Sequence, residues 1–236
     1  MISVVIPIYN TNPEHFRECI SSILSQSLQD FEVVIVDNGS RKEYYDEYEK
    51  ICDDPRLLLK KIDRIQGMKN LSRAVNFGIK VSKFDLIARM DADDIMHKNR
   101  LEKQVNYFKT NEVDILGGQI CFLGTTNIKT HPETIGLDYP LRDFWVMNHP
   151  TVAFRKEKII EIGGYAEKPS YLAEDYELWT RALSKGLSIQ NLQEVLVYYR
   201  VSPNSLTNID KQNSKYNMLI SHIRDVYRNK VGHKLK

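Results

Sequence analysis

Residues 86–95, LIARMDADDI, run from apolar side chains into three carboxylates within four positions: Asp91, Asp93 and Asp94. Carboxylates this close repel one another, which costs stability unless a partner neutralises them. Hard divalent cations are such partners, because Mg2+ and Mn2+ take carboxylate oxygens and share their shell with phosphates. Alternate residues of an extended strand exit point the same way, so Asp91 and Asp93 are placed to face one ion and leave its remaining positions to a diphosphate. A polar turn leading into a helix uses the same residue types, since Asp is favoured at N-caps and in first turns. A calcium EF-hand loop starting at Asp91 puts Glu102 at the twelfth position, but Met96 stands where the sixth needs glycine and Ile95 occupies the fifth, so that reading fails. A phosphatase with an aspartate nucleophile also carries D-x-D after an apolar strand. It usually does so on the first strand, followed by Thr or Val; here the motif sits on a middle strand and continues Asp-Ile.

The elements that must position these residues are legible as hydrophobic patterns. Ile2 to Tyr9 is apolar and β-branched and ends at the turn Asn10-Thr11-Asn12-Pro13. Pro13 suits a first helical turn, and Phe16, Ile20, Ile23 and Leu24 follow at helical spacing. FEVVIVDNGS repeats the plan, with a buried strand from Phe31 to Val36, Asp37 at its exit and a turn at Asn38-Gly39. Leu57–Leu59 and LIARM give two further strands. Leu71, Ala74, Val75, Gly78 and Ile79 outline one helix, and Leu101, Val105 and Phe108 another. Strands apolar on both faces and alternating with helices imply an α/β fold with a mostly parallel sheet covered on both sides. Ligands in such sheets bind outside the carboxyl ends of the strands, where Asn10, Asp37 and Asp91 all fall. No G-x-G-x-x-G follows a strand, which argues against the usual dinucleotide fold. Further along, Ile115 to Phe122 reads as a strand, Gly124 to Pro140 as a long loop, HPTVAF (149–154) as a strand and Glu174 to Leu183 as a helix. The core pattern fades around Pro203, and a last helical segment starts at about Lys211.

The chain of 236 residues, 42% hydrophobic and 27% charged, has the composition of a globular protein of one domain or two lobes sharing a sheet. A net charge of +2 argues against a dedicated nucleic-acid binder. Cys19, Cys52 and Cys121 are odd in number, far apart and without metal spacing, as expected of reduced thiols. No stretch reaches the roughly 20 apolar residues of a membrane span, and the opening MISVVIPIYN does not read as a secretory signal. A cytoplasmic protein, at most peripheral to a membrane, is expected.

With these pieces in order, the sequence resembles a family-2 glycosyltransferase of the GT-A fold, of the bacterial cell-surface polysaccharide type. The likeness runs from Ile2 to about Ser205 and rests on SVVIPIYN, FEVVIVDNGS, LSRAVNFGI, ARMDADDI with RLEKQV behind it, HPTVAFRK, GGY and AEDYELWTRAL. It implies a single catalytic domain over 1–205, with a nucleotide-sugar-binding half (1–95), an acceptor half (96–205) and a tail (206–236). It also implies a nucleotide-activated sugar donor, usually UDP-linked, a saccharide or lipid-linked saccharide acceptor, and Mn2+ or Mg2+. By the same resemblance Pro7, Tyr9 and Asn10 frame the nucleotide, Asp37 reads the uracil, and Asn70 and Arg73 lie beside the base and diphosphate. Asp93 falls on the metal, Asp91 near ribose and metal, Asp175 at the general base with Glu174 beside it, and His149 on the acceptor side. Two departures matter. Asn38 stands where many relatives carry Asp, followed by Arg41-Lys42, and the Q-x-x-R-W signature of processive synthases is absent. The second favours addition of one sugar.

Each of these residues also has a structural reading. Asp37 caps a turn, Arg73 is a solvated helix charge, His149 before a proline is a packing residue, and Glu174-Asp175 begins a helix, where carboxylates are favoured. Tyr176 and Trp179 are expected in the core. From Asp210 to Lys236 seven Lys or Arg stand against two Asp, a net of +5. Leu219, Ile220, Ile223, Val226 and Tyr227 form an apolar helical face there, which suits either a membrane surface or the flank of the domain.

Overall fold

The computed structural model describes residues 1–142, 146–168, 173–201 and 214–232, without the side chains of 214 and 215. The segment around Pro203, the stretch from Asp210 to Asn213 and part of the loop after Gly163 lie outside the described residues. The chain runs β1 (Ile2–Ile8), α1 (Pro13–Leu24), β2 (Phe31–Asp37), α2 (Lys42–Ile51), β3 (Leu57–Lys61), α3 (Asn70–Val81), β4 (Leu86–Arg89), β5 (Ile95–Met96) and α4 (Arg100–Thr110). It continues with β6 (Ile115–Phe122), β7 (Ile128–Lys129), α5 (Tyr139–Arg142), a 3-10 turn (His149–Thr151), β8 (Ala153–Arg155), α6 (Lys156–Glu161), α7 (Glu174–Ser184), β9 (Ile189–Tyr199) and α8 (Ser214–Val231).

One sheet collects all nine strands of the described residues in the order β3-β2-β1-β4-β8-β6-β9-β5, with β7 against β6. Its parallel character is concentrated in the first four strands, where β2, β1 and β4 align and Val5 lies opposite Arg89. Beyond β4 the pairs β4–β8, β6–β8, β6–β7 and β5–β9 are antiparallel, while β6–β9 is parallel. Parallel pairing needs a crossover of a dozen or more residues, as the helices of the first half provide. Among the described antiparallel pairs, β6–β7 alone is joined by a short turn, residues 123–127; β8 and β9 enter the second half of the sheet through long connections. Five residues, 90–94, separate the end of β4 near the middle of the sheet from β5 at its far edge, so the sheet curls over them.

The sequence expectation for HPTVAF as one strand is corrected. Pro150 has no N–H to give a ladder, and residues 149–151 form the 3-10 turn before the three-residue β8. The expected loop of residues 124–140 contains the two residues of β7 and the start of α5. The sequence expectations name neither α2 nor β9, and both form; in α2, Tyr44, Tyr48 and Ile51 recur at helical spacing. α2 buries only Tyr48. β9 alternates buried and exposed residues irregularly because bulges interrupt its pairing with β6.

Two apolar layers flank the sheet, and both draw on residues before and after position 96. One holds Val5, Val36, Val75 and Ile79 with Tyr176, Trp179 and the α8 residues Ile220, Ile223 and Tyr227. The other holds Ile6, Phe16 and Val33 with Leu101, Val105 and Leu116. α3 lies so close to the sheet that a Cβ on Gly78 would come within 2.4 Å of Val5 Cγ1. Alanine there gains up to about 1 kcal/mol of helix propensity but overpacks the layer, which typically costs about 1–3 kcal/mol. Denaturant melting of Gly78→Ala is expected to show a net loss of about 1–2 kcal/mol, and a stabilised variant would contradict this packing.

α8 resolves the two readings of its apolar face toward the domain. Ile220, Ile223, Tyr227 and Val231 are buried, Tyr227 Oη donates to Leu137 O at 2.7 Å, and Arg224 Nε reaches Tyr176 Oη at 3.4 Å. Of the expected face only Val226 is exposed, together with Met218. No helix of the described residues is long and apolar enough to cross a membrane.

Candidate active site

Because β2, β1 and β4 run parallel and side by side, their carboxyl ends open on one rim. Pro7 sits near the end of β1, past the point where the β4 ladder stops at Val5–Arg89, so its missing N–H is tolerated. Tyr9 is exposed on the rim, and the Arg64 guanidinium lies 3.9 Å from its ring centroid. Asn10 is left-handed at φ 47°, a conformation Asn tolerates better than most residues. Its Oδ1 accepts from Arg41 N and its own N donates to Ser40 Oγ, both at 2.9 Å, which ties the first strand exit to the second. Asp37 is fully buried and both its oxygens accept from Ser40 N, at 3.1 and 3.3 Å, so it caps the Asn38-Gly39 turn. Asn70 is buried and holds the preceding loop through Ile65 N, Ile65 O and Met68 O, while Arg73 donates to Asn70 Oδ1 and Asp63 O. In this arrangement both brace the loop that carries Arg64.

The crowded carboxylates have a partner within the chain. Arg89, 3% exposed, grips Asp91 with two nitrogens on two oxygens, at 2.6 and 2.5 Å. Burial works against the Arg89 charge, but Asp91 outweighs it and the guanidinium is raised. Burial, then the charge of Asp91, pushes the Asp93 carboxyl above the usual carboxylate range. Asp94 is completely buried and is raised well above its usual value by burial, then by Asp91 and Asp93. Its Oδ1 accepts from Arg200 N at 2.8 Å, and Arg200 Nε donates to Asp93 O at 2.8 Å. The end of β9 thus straps the acidic turn from behind.

Arg100 fixes the turn from below. Its guanidinium is fully buried and donates to Arg89 O and Pro150 O, each at 2.8 Å, and to Val152 O at 3.3 Å. This joins the exit of β4 to the 149–152 turn and sets His149 near Arg89. His149 Nε2 lies 2.9 Å from Tyr165 Oη, and the ring meets Trp179 edge-on at 6.0 Å between centroids. Burial, reinforced by Arg89 and Lys69, holds the imidazole well below its ordinary value, so it is neutral at pH 7. Tyr165 reaches this position through Gly163 and Gly164, whose φ values of 98° and 65° bend the chain as L side chains rarely do.

The start of α7 faces the same group of side chains. Lys69 Nζ lies 3.1 Å from Glu174 Oε2, both side chains being nearly buried. Among the described residues Asp175 forms no ion pair; its Oδ1 accepts from Tyr176 N at 2.8 Å. Burial raises both carboxyls, against the pull of Lys69 at Glu174 and of the Tyr176 N–H and Arg89 at Asp175. Two adjacent acids, indistinguishable in sequence, are therefore unlike in the fold: Glu174 is an ion-pair anchor, and Asp175 forms no ion pair among the described residues. Nearby, a cleft of about 370 Å³ is lined by Asn76, Gly163, Tyr165, Glu167, Lys168 and Arg181 among others.

Among the described residues no three His, Cys, Asp or Glu side chains gather to hold a metal ion. Carboxylate oxygens nevertheless suit a hard cation. One or two protein carboxylates completed by substrate phosphates are the usual donor set for Mg2+-like ions. Asp93, with Asp91 engaged by Arg89, fits that kind of site rather than an all-protein cage. Arg89, Lys69, Arg100, Arg200 and Tyr165 escaped sequence reasoning. Arg100 and Tyr165 do stand in the RLEKQV and GGY motifs, and Arg89 had a further signal, because the alternation that aligns Asp91 and Asp93 starts two residues earlier, at Arg89.

Residues 3–162 match the profile of glycosyl transferase family 2. The chain belongs to that family. The transferase is 32% identical over 206 residues to the amylovoran biosynthesis glycosyltransferase AmsE of Erwinia amylovora, covering 85% of this chain and 76% of that one. It is 32% identical over 213 residues to a UDP-Gal:alpha-D-GlcNAc-diphosphoundecaprenol beta-1,3-galactosyltransferase of Escherichia coli, covering 85% and 74%. Among solved structures, S. aureus TarS residues 1–349 in complex with UDP-GlcNAc superposes with a TM-score of 0.74 at 19% identity, over 94% of this chain and 66% of that one. That likeness establishes the fold, a mixed α/β GT-A architecture with a curled sheet. The transferase spans only 38% of the longer TarS structure.

Proposed function

We propose that this family-2 glycosyltransferase moves one sugar from a nucleotide sugar, UDP-linked, to a saccharide or lipid-linked saccharide acceptor, with inversion and with Mn2+ or Mg2+, in the assembly of a bacterial surface polysaccharide such as a capsule, O-antigen or exopolysaccharide. The observation that carries this reading is that Asp91, paired with Arg89, and the Asp175 carboxylate both act on Arg89 and Tyr165. Two acidic groups with separate duties are what direct displacement at a sugar phosphate requires. The relatives named for polysaccharide biosynthesis and for UDP-galactose support the substrate class.

In this reading Tyr9, Asn10 and Asp37 frame the base, and Asp91 and Asp93 lie toward ribose and diphosphate. A divalent cation held at Asp93 would supply positive charge for the leaving phosphate. The acceptor hydroxyl is a poor nucleophile, and Asp175 takes its proton as the new carbon–oxygen bond forms and the sugar–phosphate bond breaks. A single base opposite the leaving group gives inversion. Glu174 holds α7 against Lys69, and neutral His149 braces Tyr165 at the acceptor side. An aspartate nucleophile at Asp91 is disfavoured, because both its oxygens are engaged by a buried arginine.

Calorimetric titration tests the donor side. UDP is expected to bind the wild type tightly with Mn2+ and weakly without it. In Asp93→Asn the metal-dependent gain should fall by roughly tenfold or more, about 1.4 kcal/mol per decade. UDP affinity indifferent to Mn2+ would refute the ion-bridged diphosphate.

A further inference from the structure

Arg89 has features that its neighbours lack. Its backbone is pinned at both ends, with N donating to Val152 O at 2.9 Å and O accepting from Arg100 at 2.8 Å. The side chain is buried and its Nε has no partner among the described residues, so Asp91 is the anion that balances it. The pairing is fork to fork, the strongest arrangement open to a guanidinium and a carboxylate. Among the described residues no lysine or arginine pairs with Asp93. Arg89, Asp91 and Asp93 together carry a formal charge of −1, too little to hold a divalent cation firmly. A nucleoside diphosphate adds at least two negative charges and further oxygen ligands.

We propose that Arg89 is a positioning residue that occupies both oxygens of Asp91 and so makes cation binding at this rim depend on the nucleotide's phosphates. Asp93 supplies the protein's anionic oxygen, and the ion and the diphosphate bind as a pair rather than in turn. Arg89 also fixes the direction of Asp91, which leaves that carboxylate a spacer between the donor and the α7 side of the site. This rests on the donor reading given under Proposed function.

The test is calorimetry of Mn2+ alone, UDP alone and both together, on the wild type, Arg89→Gln and Arg89→Lys, with circular dichroism to check folding. The wild type should bind Mn2+ alone weakly and much more tightly with UDP. Arg89→Gln frees two carboxylate oxygens and removes a positive charge, so Mn2+ alone should bind roughly tenfold tighter or more, and the enhancement by UDP should shrink to match. Arg89→Lys, whose single ammonium holds fewer contacts, should fall between. A merely structural arginine would leave Mn2+ affinity unchanged in folded variants, and that result overturns the inference while leaving the donor reading intact. If Arg89→Gln does not fold, a folded Arg89→Lys with wild-type affinity for Mn2+ alone overturns it equally. Absence of coupling between UDP and Mn2+ in the wild type overturns the donor reading, and this inference with it.

Discussion

Asp175→Asn is expected to lower turnover by about 10²- to 10⁴-fold, the range for loss of a general base, while UDP affinity stays within roughly twofold because in the proposed reading Asp175 serves the acceptor hydroxyl and not the nucleotide. Asparagine keeps an acceptor for Tyr176 N and changes shape little, so the loss isolates proton transfer from architecture. The pH dependence has a definite sign. The base must be ionised, and burial raises the Asp175 carboxyl, so activity should fall on the acid side at a pH above the ordinary aspartate range. Stability moves the other way. A carboxyl whose folded pKa lies above its unfolded value costs the fold stability once pH exceeds both values, and that cost fades as pH falls through the folded pKa toward the unfolded one. The neutral variant should therefore melt no lower than the wild type near pH 7, and slightly higher if the penalty dominates. Steady-state rates, a pH profile and a melting curve on one purified variant check all three. Turnover within threefold of wild type would remove Asp175 from the base role.

The largest stability effect is expected at Arg100. Its buried guanidinium serves three backbone carbonyls and Gln104 Oε1, and burial draws it down to about 9, so it is still charged at neutral pH. Methionine fills much of the space but donates nothing. Val152 O retains its bond from Arg89 N, whereas Arg89 O and Pro150 O lose theirs from the guanidinium. A buried acceptor left without a partner costs about 1–3 kcal/mol. Relief from burying an unpaired charge returns part of that, and the net expectation for Arg100→Met is a loss of about 3 kcal/mol. For a chain of this size that is roughly 6–12 °C in melting temperature. Activity should fall as well, because the same carbonyls tie the acidic turn to the His149–Thr151 turn. A variant that melts within a degree of wild type would show that the clamp contributes nothing.

Local patterns carried much of the architecture. β1, β2, β3, β4 and β6 are runs of apolar residues, and α1, α3, α4 and α7 repeat at helical spacing, because burial of a face imposes a period that needs no knowledge of partners. The D-x-D exit and the placement of Asn10, Asp37 and Asp91 on one rim follow from parallel strands alone. β9, whose exposure pattern is set by bulges against β6, was illegible; α2 left a thin trace, Tyr44, Tyr48 and Ile51 at helical spacing with Tyr48 alone of its side chains buried. The α8 face was legible as apolar, but not its destination, since a membrane and the flank of α7 select the same residues.

The site divides along the same line. Sequence by itself determined which residue types stand at the strand exits and at the start of α7, because those depend on neighbours within a few positions. Only the tertiary structure decided their roles. Lys69 and Glu174 are far apart in the chain, yet their contact sorts one acid from the next at adjacent helical positions, which point about 100° apart. Arg100, ten residues beyond Met90, returns beneath the β4 exit it follows and reaches Pro150 across fifty positions. Charge neutralisation depends on distance through space, and distances through space between segments far apart in sequence are fixed only once the sheet has curled.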